Sequence, residues 1–112
     1  SGLGEAIKLA NSQSLDMNKF YEVLSTSTGS CWALNNYSPI KDVGPLSPAD
    51  NNFKPGFSSE LMLKDLSLAL TAAEKAKLKL NLGIKVHENY KKSIENNEGN
   101  LDFSNIINQL DW

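Results

Sequence analysis

One cysteine, Cys31, stands in a chain of 112 residues. A lone thiol excludes an internal disulfide, which fits a reducing compartment. There is also only one histidine, His87, and no cysteine cluster, so no protein-built zinc site is expected. No apolar run approaches the length that spans a bilayer, so no membrane partner is expected. Charge of one sign is lacking as well: eleven basic against thirteen acidic side chains leave a net charge of −2. That balance gives no electrostatic footprint for nucleic acid or an anionic membrane surface. Strand-like alternation and internal repeats are absent, and so is the glycine fingerprint of a dinucleotide-binding βαβ unit. The chain opens Ser1-Gly2-Leu3-Gly4-Glu5, without Met and without a signal or transit pattern, inside what already reads as helix. The expectation is a piece cut from something longer.

What is present is helix. Hydrophobic residues make up 40% and charged residues 21%, the balance of one globular domain with a modest core. Leu3, Ala6, Ile7 and Ala10 recur at helical spacing and predict an amphipathic helix over Leu3–Gln13. Asp16 caps the next, Met17–Thr26, with Phe20, Val23 and Leu24 as its buried face and Gly29 as its left-handed stop. Ser30 caps a brief turn, Cys31–Asn36. The longest helical pattern runs from Gly56 to Ala76, with Ser58 or Ser59 as N-cap and Glu60 in the first turn, where the helix dipole favours an anion. From Leu61 onward it is apolar nearly all round, which predicts a buried helix. Its narrow polar stripe is Glu60, Lys64, Ser67, Thr71 and Glu74. Leu82, Val86, Tyr90 and Ile94 form the inner stripe of a further helix, about Leu78–Asn96, in which Gly83 marks close helix–helix contact. Asn96-Asn97-Glu98-Gly99-Asn100 ends it. Asp102 caps a last helix facing inward through Phe103, Ile106, Ile107 and Leu110. The fold class is all-α.

All four prolines fall in Tyr37–Phe57, with turn signals at Gly44 and Asn51-Asn52. A connection of that length is either a solvated linker or functional. Trp32, Tyr37 and Phe57 flank it, and either staple it to the core or wall a pocket. Asp65 shares a face with Leu61, Leu68, Ala69 and Ala72. That placement predicts a buried carboxylate, bonded structurally or serving a ligand. By pattern alone Lys64 is a solvated lysine, His87 a surface histidine beside Lys91, and Cys31 a buried, inert thiol.

Denser matches point to a family. Leu24-Ser25-Thr26-Ser27-Thr28-Gly29-Ser30-Cys31-Trp32 resembles the Leu-x-x-Ser-x-Gly-x-Cys-Trp segment of the β-hydroxyacid dehydrogenases. Tyr37-Ser38-Pro39-Ile40 and Pro48-Ala49-Asp50-Asn51-Asn52-Phe53 resemble that family's long loop. Gly56-Phe57 with Leu61-Met62-Leu63-Lys64-Asp65-Leu66-Ser67-Leu68-Ala69 resembles its most specific motif, and Tyr90 and Asp102-Phe103-Ser104 match further on. The likeness covers nearly the whole chain without gaps. Lys79 departs from the proline of many members.

The resemblance implies a helical bundle like the C-terminal domain of 6-phosphogluconate dehydrogenase, truncated at its N-terminus. Its partners would be a Rossmann domain and an interdomain helix that this sequence lacks. It implies an NAD-dependent oxidation of a β-hydroxyacid, with members that act on succinic semialdehyde or glyoxylate as the alternatives. The rival class is a helical interaction module that has kept the sequence without the chemistry. Lys64 would contact NAD. Phe57 and Asp65 would line the substrate end of the cleft, with Trp32 and Tyr37 behind them. The family's acid/base lysine lies in a Gly-x-x-x-Lys-x-x-Asn-Asn motif. Gly4 to Asn11 imitates it around Lys8, but Ser12 replaces the second Asn, and Glu5-Ala6-Ile7 with Leu15-Asp16 matches a later helix. In that register the catalytic lysine lies upstream and none is present here. The 112 residues alone are then expected to be inactive, without bound NAD, and to associate as a homodimer or higher oligomer. The compartment would be the cytoplasm in a bacterium and the mitochondrial matrix in a eukaryote.

Overall fold

A computed structural model of the chain describes residues 1–54 and 56–109, and among these there are six α-helices and no strand. Helix α1 (Gly2–Ser12) buries Gly4, Ile7 and Ala10, the spacing that the sequence pattern predicts. Helix α2 (Met17–Ser25) starts where Asp16 accepts a hydrogen bond from the Lys19 N–H at 3.0 Å. No residue of α2 is fully buried, and Val23, expected in the core, is 66% exposed. Gly29 does not stop this helix in a left-handed conformation; among the described glycines only Gly44 has a positive φ. A run of hydroxyls ends α2 instead. Ser25 Oγ and Thr26 Oγ1 donate to the Glu22 carbonyl, and Ser27 Oγ donates to that of Leu24, so the terminal carbonyls are satisfied without a glycine cap. Helix α3 (Trp32–Asn36) has Cys31, not Ser30, at its N-cap, which leaves the thiol exposed rather than buried.

The proline-rich connection is built rather than slack. Ser47 caps a 3₁₀ turn, Pro48–Asn51, and its hydroxyl donates to the Ser38 carbonyl at 2.6 Å. Asp50 accepts from the Asp42 N–H at 2.7 Å and the Ser47 N–H at 2.8 Å. These two N–H groups hold the Asp50 carboxyl below its ordinary range. Gly44, at φ 82°, lets the loop pass over the Tyr21 ring, and Ser38, Val43 and Ala49 are buried beneath.

Helix α4 (Ser59–Lys75) is capped by Ser58, which accepts from the Leu61 N–H at 3.2 Å. It is not the buried helix that its composition predicts. Only Ser59 and Ala73 are fully buried, Leu68 is 63% exposed, and Asp65 lies in the open on the same outward face. The domain is small, and its core reaches one side of this helix only. Met62, Leu63 and Leu66 fill that side, packed on Tyr90 and Ile106. Helix α5 (Asn81–Glu95) returns antiparallel along α4, with a position for a Gly83 Cβ 3.5 Å from Leu70 and with His87 beside Ser67. Its inner stripe holds at Tyr90 and Val86 but not at Leu82, which is 84% exposed beyond the end of the core. Asn97, at φ 62°, ends α5 as the run of turn residues predicts. Asp102 then caps a 3₁₀ turn, Phe103–Asn105, which runs into α6 (Ile106–Gln109) with Ile106 and Ile107 buried. The expected inward position Leu110 lies outside the described residues.

Candidate functional site

Four aromatic rings from three segments come together where the loop meets the core. Trp32 at the start of α3 lies on Tyr37, with centroids 5.7 Å apart. Tyr37 lies on Phe103, with centroids 5.4 Å apart and planes 13° from parallel. Phe57, just before α4, meets Phe103 edge-on at 6.2 Å. Offset and edge contacts of this kind add roughly 0.5–1.5 kcal/mol each beyond the area they bury. The outer members stay accessible, Trp32 at 65% and Phe57 at 39%, while Tyr37 and Phe103 are half-buried. Three of the residues expected at the substrate end, Trp32, Tyr37 and Phe57, thus come together as one wall. A small cavity of about 70 Å³ lies behind it, lined in part by Tyr37, Tyr90, Phe103 and Ser104.

A carboxylate holds this wall together, and it is Asp102. Its side chain is fully buried. Oδ2 accepts from the Tyr37 hydroxyl at 2.8 Å and from the Phe57 N–H at 2.8 Å. Oδ1 accepts from the Ser104 N–H at 2.9 Å and from the Ser104 hydroxyl at 2.5 Å. Four donors on two oxygens satisfy a buried carboxylate that has no ion pair among the described residues. The main chain adds two more bonds: the Asp102 N–H donates to the Phe53 carbonyl at 3.0 Å, and the Phe103 N–H to that of Phe57 at 2.7 Å. A Cβ on Gly56 would run into the Asp102 carboxylate, so the Gly-Phe pair is set by this close approach. Burial, and then the bond to Asp102 and its charge, push the Tyr37 phenol up to about 12. Burial, and then the Asp102 charge, also push the Tyr90 phenol up.

The pattern reading missed this role. It found Asp102 as a helix cap and as part of an Asp-Phe-Ser match, and gave the buried carboxylate to Asp65. Periodicity places a residue on a helix face, whereas Asp102 is buried by partners 45 and 65 positions away in sequence.

Lys64 and Asp65 lie exposed on the outward face of α4, and neither side chain makes an ion pair or hydrogen bond among the described residues. His87 is half-buried, not a surface residue, with Nε2 3.0 Å from Ser67 Oγ. Ser67 Oγ also lies 2.8 Å from the Leu63 carbonyl, one turn back on α4. The Ser67–His87 contact makes the pair a clasp between α4 and α5. Lys8, half-buried on α1, lines a separate hollow of about 480 Å³ with Asn11, Lys41, Phe53 and Asn108, which none of the four wall aromatics enters. No group of three metal-ligating side chains occurs among the described residues, and no helix there is long and apolar enough to cross a membrane.

Known proteins match the chain over nearly its whole length. A solved structure of a Mycobacterium tuberculosis 3-hydroxyisobutyrate dehydrogenase with L-serine superimposes with a TM-score of 0.91 at 37% identity, over 99% of this chain and 38% of that one. The mitochondrial 3-hydroxyisobutyrate dehydrogenase of Drosophila melanogaster is 42% identical over 97% of this chain and 34% of its own length. That of Rattus norvegicus is 33% identical over 97% of this chain and 32% of its own length. The chain therefore spans about a third of the length of the relatives it matches. Residues 1–110 match the family described as "NAD-binding of NADP-dependent 3-hydroxyisobutyrate dehydrogenase", and the chain belongs to that family.

Proposed function

We propose that residues 1–112 are the C-terminal, all-α domain of an NAD-dependent 3-hydroxyisobutyrate dehydrogenase, which oxidises 3-hydroxyisobutyrate to methylmalonate semialdehyde in valine breakdown. The observation that carries this reading is the near-complete superposition on an enzyme of that name, with Trp32, Tyr37 and Phe57 gathered into one wall. The L-serine named with that structure has a hydroxyl β to a carboxylate, as 3-hydroxyisobutyrate does.

In this reading a Rossmann domain on the same polypeptide is the partner across the cleft, and it carries the acid/base lysine. Bound NAD would take the hydride from the hydroxyl-bearing carbon. The work of this chain is to bind and to exclude water. Lys64 offers an unpaired, exposed ammonium to the phosphates of the dinucleotide. Phe57, backed by Tyr37 and Trp32, gives the substrate's methyl-bearing carbon an apolar surface and keeps solvent from the reacting carbon. Asp65 lines the same end from α4. The assembly is a homodimer or larger, in the mitochondrial matrix of a eukaryote or the cytoplasm of a bacterium.

The test is the complete reading frame that encodes this chain, expressed and assayed for NADH production from 3-hydroxyisobutyrate. Turnover supports the reading. Turnover only of succinic semialdehyde or glyoxylate moves the protein to another branch of the β-hydroxyacid dehydrogenases, and none with any of them leaves the interaction module. In the active protein, Lys64→Ala is expected to raise the KM for the dinucleotide more than that for the hydroxyacid. Equal effects would remove Lys64 from the cofactor contact.

A further inference from the structure

We propose that Asp102 is a positioning residue for the substrate wall, fixing the 32–37 segment against the 56–57 segment through the Tyr37 hydroxyl and the Phe57 N–H. The inference rests on the functional reading above for what the wall touches, but on geometry alone for how it is held.

The two segments are far apart in sequence and are joined at one oxygen. Oδ2 of Asp102 accepts from both, at 2.8 Å each. Its other oxygen is anchored on Ser104, so the carboxylate cannot turn to follow one segment without losing the other. Phe103, the next residue, carries the ring that Tyr37 stacks on and Phe57 meets edge-on. A side-chain anchor and a ring from adjacent residues thus set both the distance and the tilt of the two segments. Asp102 is fully buried, and its four acceptor positions are filled from within the chain, so it acts on a ligand through Tyr37 and Phe57 and not directly. A displacement of about 1 Å from the productive geometry is costly to orientation even when the mutated residue touches no substrate.

Asp102→Asn keeps the size but gives one oxygen to an amide donor, which faces either the Phe57 N–H or the Ser104 N–H and repels it. Tyr37→Phe removes one arm only, and leaves the Phe57 and Ser104 bonds intact. In the complete protein, both variants are expected to raise the KM for the hydroxyacid several-fold with the KM for NAD unchanged, and the double variant to match the more severe single one. A rise in both KM values together, or additive losses, would reduce Asp102 to general stability and overturn the proposal. A direct readout uses the 112-residue chain: the Phe57 amide proton resonance, shifted by its carboxylate acceptor, moves upfield in Asp102→Ala, which removes both oxygens. An unmoved resonance overturns the positioning itself, whatever the substrate proves to be. If Asp102→Asn does not fold, the same KM split in Tyr37→Phe and Ser104→Ala decides the matter. An inactive wild-type protein with a displaced Phe57 amide in the variant would retire the functional reading while leaving the anchor in place.

Discussion

Gly56 shows how a single atom is constrained by a carboxylate 46 positions away in sequence. Its missing Cβ is the space that Asp102 occupies, so crowding selects glycine. Gly56→Ala is expected to lower stability by about 1–3 kcal/mol through this overpacking. Gly2→Ala, with nothing within 4 Å, should not lower it. Denaturant midpoints of the two variants check this, and equal midpoints would refute the crowding. Tyr37 gives a second residue-level expectation. Its phenol lies at about 12 in the folded chain against an ordinary 10.0, so its contribution is complete below pH 10. Between 10 and 12 the unfolded chain gives up this proton while the folded chain keeps it, and stability falls as pH rises. Chemical denaturation across that window should show a decline that Tyr37→Phe reduces. A decline of the same slope in Tyr37→Phe would assign it elsewhere.

At the scale of elements, α4 is where sequence and structure part. Its inward residues Met62, Leu63 and Leu66 do not stand out in a pattern that is apolar nearly all round, but Ser58, one of the two caps offered, was legible from hydrogen-bonding chemistry. So were Asp16, Asn97 and the inward Ile106 and Ile107. What could not be read is which apolar face a small domain leaves uncovered. Leu61, Leu68 and Asp65 share a face, and periodicity cannot tell whether that face meets this domain's core or something beyond it. The aromatic wall was half legible: Trp32, Tyr37 and Phe57 were marked as a group, while the anchor depends on long-range contacts that no local pattern records. The exposure of Asp65 removes the stability role that a buried carboxylate would have. Asp65→Asn and Asp65→Leu should both lie within about 0.5 kcal/mol of the parent, as exposed substitutions do. A loss of several kcal/mol in Asp65→Leu alone would show that the carboxylate has a partner in solution.

For the molecule as a whole, surface area points the same way as α4. A monomer of 12.3 kDa is expected to expose about 6,100 Å², about 1,100 Å² less than the 7189 Å² of this chain. The radius of gyration of 14.7 Å likewise exceeds the roughly 13 Å of a compact domain of this length. The excess is somewhat more than the roughly 800 Å² that each partner buries in a stable interface. Much of it is apolar: Leu9 and Val23 on the first two helices, Leu61 and Leu68 on α4, and Leu78 and Leu82 around the next turn are all at least 44% exposed. Apolar surface of this extent is covered in a stable protein, by another part of the same polypeptide or by a second copy. The 112 residues expressed alone are therefore expected to associate as concentration rises, which light scattering over a dilution series reads directly. They are also expected to produce no NADH from 3-hydroxyisobutyrate, because one wall of a cleft cannot hold dinucleotide and substrate in reacting geometry. The two outcomes test different things. A monomer at every concentration would refute the uncovered-surface argument without touching the chemistry. Turnover above background would mean that an acid/base lies within these residues, and Lys8 beside Asn11 on the hollow lined by Lys41 and Asn108 would be the first to replace.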